Sequence, residues 1–182
     1  EITCRDWSSD VCSSDLPKTG KTSDRVTALV CTPDMEGIDI YEKNRSKCGI
    51  RGTWQARIRL TNVKVPRENL LHKEGKGLTV ALSCLNYGRC TLSAGMLGSA
   101  KRCMDQGIKW SATRYQFGRP LAAFDLVQER IARMAAYTYA MDAMLYLTTA
   151  MLDRHDEDIM IETALCKVFN SEMGWQIGRA HV

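Results

Sequence analysis

Two short clusters in the 182-residue chain hold side chains that can do chemistry. Arg114-Tyr-Gln-Phe-Gly-Arg-Pro120 sets a cation, an aromatic ring and a glycine at the end of a helical pattern. Arginine there, with its rigid fork of donors, can clamp a diphosphate. Asn86-Tyr-Gly-Arg89 interrupts an apolar helix with polar groups, which cost free energy in such a setting unless they are paired or used. Two further clusters have simpler readings. Gly20-Lys-Thr22 has the end of a phosphate loop, but the full pattern needs glycine at position 15, where the chain has Asp15. Glu74-Gly-Lys-Gly77 can turn backbone amides toward a phosphate at a helix start, yet a glycine turn joining strand to helix needs no ligand, and that plainer reading is preferred.

Those clusters must be positioned by two kinds of element. From Arg25 to Pro66 the chain reads as strand and turn: Val26-Thr-Ala-Leu-Val-Cys31 is β-branched and apolar, and Thr-Pro-Asp-Met-Glu-Gly follows as punctuation. Ala56 to Val65 alternates basic and apolar residues over much of its length, which predicts one half-buried antiparallel strand with a wet face. Pro66 ends it, and Leu70 and Leu71 anchor the exit. After Gly77 the period becomes helical, and three helices are expected. The first runs to about Thr113, and Gly118-Arg-Pro120 separates it from the second. In the second, Val127, Ile131, Met134, Thr138, Met141, Leu145, Thr148 and Leu152 step by four and three in alternation, one stripe facing neighbouring helices. The methionines at 134, 141, 144 and 151 share that helix and read as core rather than as a cofactor box. Arg154 to Asp158 is a polar turn whose acids suit the start of the third helix. That helix is expected to carry Ile161, Leu165 and Val168 inward, with Glu162 and Glu172 as structural or surface acids. The fold class is α+β.

Composition removes several classes of function. The chain is 45% hydrophobic and 25% charged, as ordinary globular domains are. The longest apolar stretch, roughly 135–152, is shorter than the ~20 residues of a membrane helix and contains Asp142. No transmembrane segment or secretory leader is expected. Eight cysteines are scattered without CxxC pairs and only His72, His155 and His181 offer imidazoles, which disfavours a disulfide framework and a zinc site. The basic excess, 25 Lys and Arg against 21 Asp and Glu, is spread along a strand at Arg57, Arg59 and Lys64. With no basic helix or stacking aromatics beside it, that face reads as solvated, and no nucleic-acid partner is expected.

The two ends carry a different signal. Asp10-Val-Cys-Ser-Ser-Asp15 can be encoded by GAC GTG TGC TCT TCC GAT, whose reverse complement encodes Ile177-Gly-Arg-Ala-His-Val182. The shared segment is that of a common sequencing-library adapter, in which a stop codon follows the second reading. Residues 1–16 and 177–182 are therefore expected to be adapter translations rather than native protein. Without them the segment is more basic than the whole chain's +4, and Cys31, Cys48, Cys84, Cys90, Cys103 and Cys166 remain as thiols of a reducing compartment.

The segment between those ends resembles the acyl-CoA dehydrogenases. The resemblance runs in collinear order through Lys47-Cys-Gly-Ile-Arg51, Val63-Lys-Val-Pro66, Asn69-Leu-Leu71, Gly75-Lys-Gly77, Asn86-Tyr-Gly-Arg89, Arg114-Tyr-Gln-Phe-Gly118 and Phe124-Asp-Leu-Val-Gln128. Leu85 to Arg89 and Ile161 to Glu172 look most like the very-long-chain branch, including its complex-I-assembly relative. The resemblance implies that 17–72 is the end of a middle β-domain and 73–176 an incomplete C-terminal helical domain, three helices of a four-helix bundle. It implies flavin chemistry: a glutamate removes the α-proton of a fatty acyl-CoA thioester, the β-hydride passes to FAD, and electron-transfer flavoprotein reoxidises the cofactor, within β-oxidation.

Carried over by motif, Arg114, Gln116 and Phe117 correspond to the group that reaches the FAD of a neighbouring subunit, with Phe124 and Asp125 at a second FAD contact. Asp125 stands where most members have glutamine, placing a carboxylate near the adenine. Asn86 and Arg89 correspond to positions lining the acyl-CoA pocket. No catalytic base is assigned within the chain: the branch that carries it just before the pocket arginine has it where this chain has Gly88, so the base is expected as a glutamate beyond Trp175. The implied parent is a homodimer or homotetramer in a bacterial cytoplasm, or in the mitochondrial matrix if eukaryotic. The present segment by itself is expected to be inactive and prone to aggregate, because strand edges and a bundle stripe stay uncovered. The alternative is a non-catalytic relative that uses the same bundle as a protein-binding module.

Overall fold

The computed structural model describes residues 2–8, 11–14, 26–42, 46–53, 55–154 and 158–179, with side chains from Val26 onward. The phosphate-loop candidate at 15–22, His155 and His181 lie outside them. Two compact units divide the chain, Glu1–Cys84 and Leu85–Val182.

The first unit is built from antiparallel strands. β1 (Ile2–Ser8), β2 (Val11–Ser14), β3 (Val26–Leu29), β6 (Val63–Val65) and β7 (Leu70–Leu71) form a sheet in the order β6-β1-β2-β3-β7, and β4 (Ile38–Tyr41) pairs with β5 (Arg57–Leu60) as a hairpin. Backbone of the expected adapter translation thus lies in β1 and β2, where β1 pairs with β6 and β2 with β3. The single strand expected over 56–65 is two strands in different sheets. The break falls at Asn62, which adopts a φ of +48°, and the Thr61 amide donates to the Gly37 carbonyl at 2.9 Å. Gly37 is required there, because a Cβ would stand 2.3 Å from the Thr61 carbonyl oxygen. The alternation slips phase at the break: Ile58 and Leu60 are the half-buried residues of β5, Thr61 and Asn62 are both exposed, and Val63 and Val65 are fully buried in β6, so the sequence carries the slip, although not the change of sheet.

Two of the basic strand residues, Arg57 and Arg59, are engaged locally. Arg57 pairs with Glu42 at 3.1 Å, and Arg59 lies 3.9 Å from Asp39 with its guanidinium 4.9 Å from the centre of the Tyr41 ring. Both glycines of the Glu74–Gly77 turn also have structural uses. Gly75 takes φ +74° while its amide donates to the buried Thr27 hydroxyl at 3.0 Å, and a Cβ on Gly77 would come within 2.7 Å of the β3 backbone.

Three helices follow: α1 (Gly77–Thr113), α2 (Asp125–Asp153) and α3 (Met160–Arg179). Each presents a buried stripe whose members step by three and four. On α1 the stripe runs through Cys90, Ser93, Leu97 and Ala100, with Met104 partly covered, and on α2 through Met134, Thr138, Met141, Leu145 and Thr148. A mean step of 3.5 keeps one seam facing the partner helices along their length. The α3 expectation is overturned: Ile161, Leu165 and Val168 are 69%, 59% and 55% exposed, and the buried face is Thr163, Cys166, Asn170 and Ile177 with Met173 partly covered. The two α3 faces have the same period, so spacing alone cannot choose between them. Packing chose the face that fits Cys166, Met173 and Ile177 among Leu97, Met134, Met141 and Leu145. No helix among the described residues is long and apolar enough to cross a membrane, and no group of three His, Cys, Asp or Glu side chains there could hold a metal ion.

Candidate functional site

The chemistry-bearing residues fall into two groups at opposite ends of the Leu85–Thr113 part of α1. Asn86 and Arg89 lie three residues apart on this helix, so their side chains share a face. Arg89 Nη1 donates to Asn86 Oδ1 at 3.1 Å and to the Met160 carbonyl at the start of α3 at 3.4 Å. The Thr163 hydroxyl stands 3.3 Å from the same Asn86 oxygen and 3.1 Å from the same Met160 carbonyl. The polar interruption read in the sequence is therefore a connection between α1 and α3, and its members satisfy one another. Directly after Arg89, burial and the nearby Cys166 push the Cys90 thiol above its ordinary value of 9.0, keeping it neutral.

The second group is a tight hairpin at the end of α1. The Arg114 amide closes the helix by donating to the Trp110 carbonyl at 2.9 Å, and the Arg114 carbonyl then accepts from the Leu121 amide at 2.8 Å. Between them β8 (Tyr115–Gln116) pairs with β9 (Arg119–Pro120). The connecting Phe117 and Gly118 both take positive φ, +51° and +77°, the two-residue turn that suits the twist of paired strands. Phe117 is 93% exposed. Its ring meets Phe124 edge-on at 6.3 Å, and the Arg119 guanidinium lies 4.0 Å over the Phe124 ring. Arg114 and Gln116 are exposed beside it, and Arg114 makes no ion pair among the described residues. Asp125 is the first residue of α2, where a carboxylate is favoured by the helix dipole. Gln128 braces this corner through a 2.8 Å bond from Nε2 to the Ala122 carbonyl.

The structure brings Arg114, Gln116, Phe117 and Phe124 together, and Asn86 with Arg89, but it does not join the two groups. At 1.5 Å per residue, α1 separates Arg89 from Arg114 by about 37 Å. Two broad clefts among the described residues, about 680 and 400 Å³, are lined by neither Asn86, Arg89, Arg114 nor Phe117. Glu162 is half-buried and Glu172 exposed. Sequence reasoning missed Thr163 and the ring contact of Arg119. Thr163 gave one signal, a small polar residue on what proves to be the buried α3 stripe, but that signal is readable only once the stripe is known.

The hairpin offers an exposed permanent cation and an exposed aromatic face held in one fixed turn, a donor set that fits a diphosphate attached to a flat ring system. The Asn86–Arg89 pair offers a guanidinium held at one nitrogen, with the other donors of its fork available to a carbonyl or an anion.

The family described as "Acyl-CoA dehydrogenase, C-terminal domain" matches residues 75–182. The chain is 39% identical over 153 residues to a probable acyl-CoA dehydrogenase, FadE10, of Mycobacterium bovis, covering 84% of this chain and 23% of that protein. It is 33% identical over 161 residues to the human mitochondrial very long-chain specific acyl-CoA dehydrogenase, covering 88% and 24%. The solved butyryl-CoA dehydrogenase of Megasphaera elsdenii superposes with a TM-score of 0.81 at 27% identity, over 89% of this chain and 43% of that one. The chain thus spans about a quarter of the length of the curated relatives it matches.

Proposed function

The chain belongs to the acyl-CoA dehydrogenase family, and from that premise we propose that it is part of a flavin-dependent enzyme that introduces the α,β double bond into long-chain fatty acyl-CoA thioesters. The observation that carries the reading is the spacing of the two groups on α1. About 37 Å is too far for one protomer's hairpin and arginine to serve the same reacting atoms, whereas a hairpin presenting Arg114 and Phe117 outward can serve a cofactor held by a second subunit. In this reading Arg114 holds the FAD pyrophosphate, Gln116 and Phe117 flank it, and Phe124 and Asp125 form the adjoining contact. Asn86 and Arg89 hold the polar end of the acyl-CoA. Bound flavin supplies the acceptor for the substrate's β-hydride, and electron-transfer flavoprotein is the partner that removes the electrons. In this reading the base is the glutamate that the family resemblance implies beyond Trp175, because position 88, the other place the resemblance implies for it, is glycine. The assembly is a homodimer or homotetramer.

The test uses the full-length polypeptide that carries this chain. Purified protein should be yellow, and anaerobic addition of a series of straight-chain acyl-CoA thioesters should bleach the flavin absorbance, most completely for long chains. A colourless protein, or one that no thioester bleaches, overturns the reading. Arg114→Ala should weaken FAD retention about ten- to a hundredfold, the loss of a charge-assisted contact worth roughly 1.5–3 kcal/mol. The codon coincidence supports reading 1–16 and 177–182 as foreign, and resequencing the source DNA across both junctions tests it: a genomic frame that contains those codons sinks the idea.

A further inference from the structure

Two donors share two acceptors where α3 meets α1. Arg89 Nη1 and the Thr163 hydroxyl each lie within hydrogen-bond reach of Asn86 Oδ1, at 3.1 and 3.3 Å, and of the Met160 carbonyl, at 3.4 and 3.1 Å. Arg89 is only half-buried, whereas Thr163 is fully buried. A half-buried arginine has about 2 kcal/mol of rotamer freedom to lose and normally keeps it. Here its Nη1 is held by two oxygens from two different helices. Those oxygens need holding themselves, because a carboxamide can rotate to present its NH2 group toward the guanidinium, two donors facing each other.

We propose that Thr163 is a positioning residue for Arg89, acting through Asn86 and the Met160 carbonyl. The inference rests on the reading of Asn86 and Arg89 as acyl-CoA contacts. The buried hydroxyl, with one hydrogen and two acceptors in reach, keeps the Asn86 oxygen turned toward Arg89 and ties the first turn of α3 to α1. The guanidinium is then set in one orientation before substrate arrives. A thioester that met a freely rotating arginine would have to order it on binding, and the cost would appear in KM. Thr163 touches neither substrate nor cofactor in this arrangement. Its effect is exerted through the geometry of its neighbours.

The test compares T163V, which keeps the shape and removes the hydroxyl, with T163S, which keeps the hydroxyl. Both are made in the full-length polypeptide. T163V should raise KM for palmitoyl-CoA about three- to tenfold with kcat within about twofold, and T163S should restore the wild-type KM. A crystal structure of T163V should show Arg89 in more than one rotamer, and that of T163S a single one on Asn86 and Met160. An unchanged KM in T163V, a defect shared equally by T163S, or an Arg89 as ordered in T163V as in wild type overturns the proposal. Should T163V fail to fold, N86L removes the shared acceptor from the other helix and should release Arg89 in the same crystallographic readout; an Arg89 that stays ordered there is equally fatal. Failure of the underlying pocket reading looks different: Arg89→Ala would leave KM untouched, while the rotamer comparison still decides the role of Thr163.

Discussion

Phe117 bears two costs at once: a non-glycine backbone in the left-handed region at φ +51°, and an aromatic ring left 93% in solvent. The first is worth roughly 1–2 kcal/mol and the second forgoes most of the roughly 1.5–3 kcal/mol that burying a large apolar side chain returns. A residue retained under both costs is under a demand other than stability. Phe117→Gly should therefore raise the thermal midpoint, by the equivalent of about 1 kcal/mol, while lowering the flavin content of the full-length protein. A variant that is both more stable and fully loaded with flavin would remove Phe117 from the cofactor site. Asp125 shows the opposite economy. Its carboxylate opens α2, where the helix dipole favours it, so it has a local use.

At the scale of elements, the bundle rests on three stripes of the same mean step, and the centre of the seam is Met141, fully buried on α2. Gly174 of α3 packs beside Met96 and the Met141 methyl, which would lie 3.8 Å from an added Cβ, an ordinary contact distance. Met141→Ala should cost about 2–5 kcal/mol, read from denaturant midpoints, since neighbours on three helices cannot all close the space. A loss below about 1 kcal/mol would mean that the seam is looser than these contacts indicate. The same regularity explains what was legible here. The α2 stripe could be read residue by residue because its other faces are interrupted by Glu129, Arg130, Arg133 and Asp142. α3 offers two faces of equal period, and spacing carries no information about which one meets a partner. β5 and β6 differ from that case: the apolar positions slip phase between Leu60 and Val63, which the sequence shows, but the division between two sheets follows from the turn at Asn62 and the bond from the Thr61 amide to Gly37.

For the molecule as a whole, the face of α3 turned away from the bundle leaves Ile161, Leu165, Val168 and Trp175 between 55% and 69% exposed. The run Ile161, Leu165 and Val168, separated from Trp175 by Glu172, is an apolar stripe of the kind that drives association in water. The double variant I161E/L165E should lower light scattering by the isolated 182-residue chain without lowering its thermal midpoint; unchanged scattering would place the adhesive surface elsewhere, on the strand edges of the first unit. The sequence by itself determined the α+β order of elements, the α1 limits, the α2 seam, the Arg114–Pro120 motif and the family, because these are written in local period, in turn residues and in short collinear motifs. Only the tertiary structure decided which face of α3 is inside, that the stretch over 56–65 is divided between two sheets, and that Thr163 stands on the oxygens that hold Arg89. The physical reason is common to all three: each depends on contacts between residues far apart in the chain, and two arrangements equal in local energy are separated only by what packs against them.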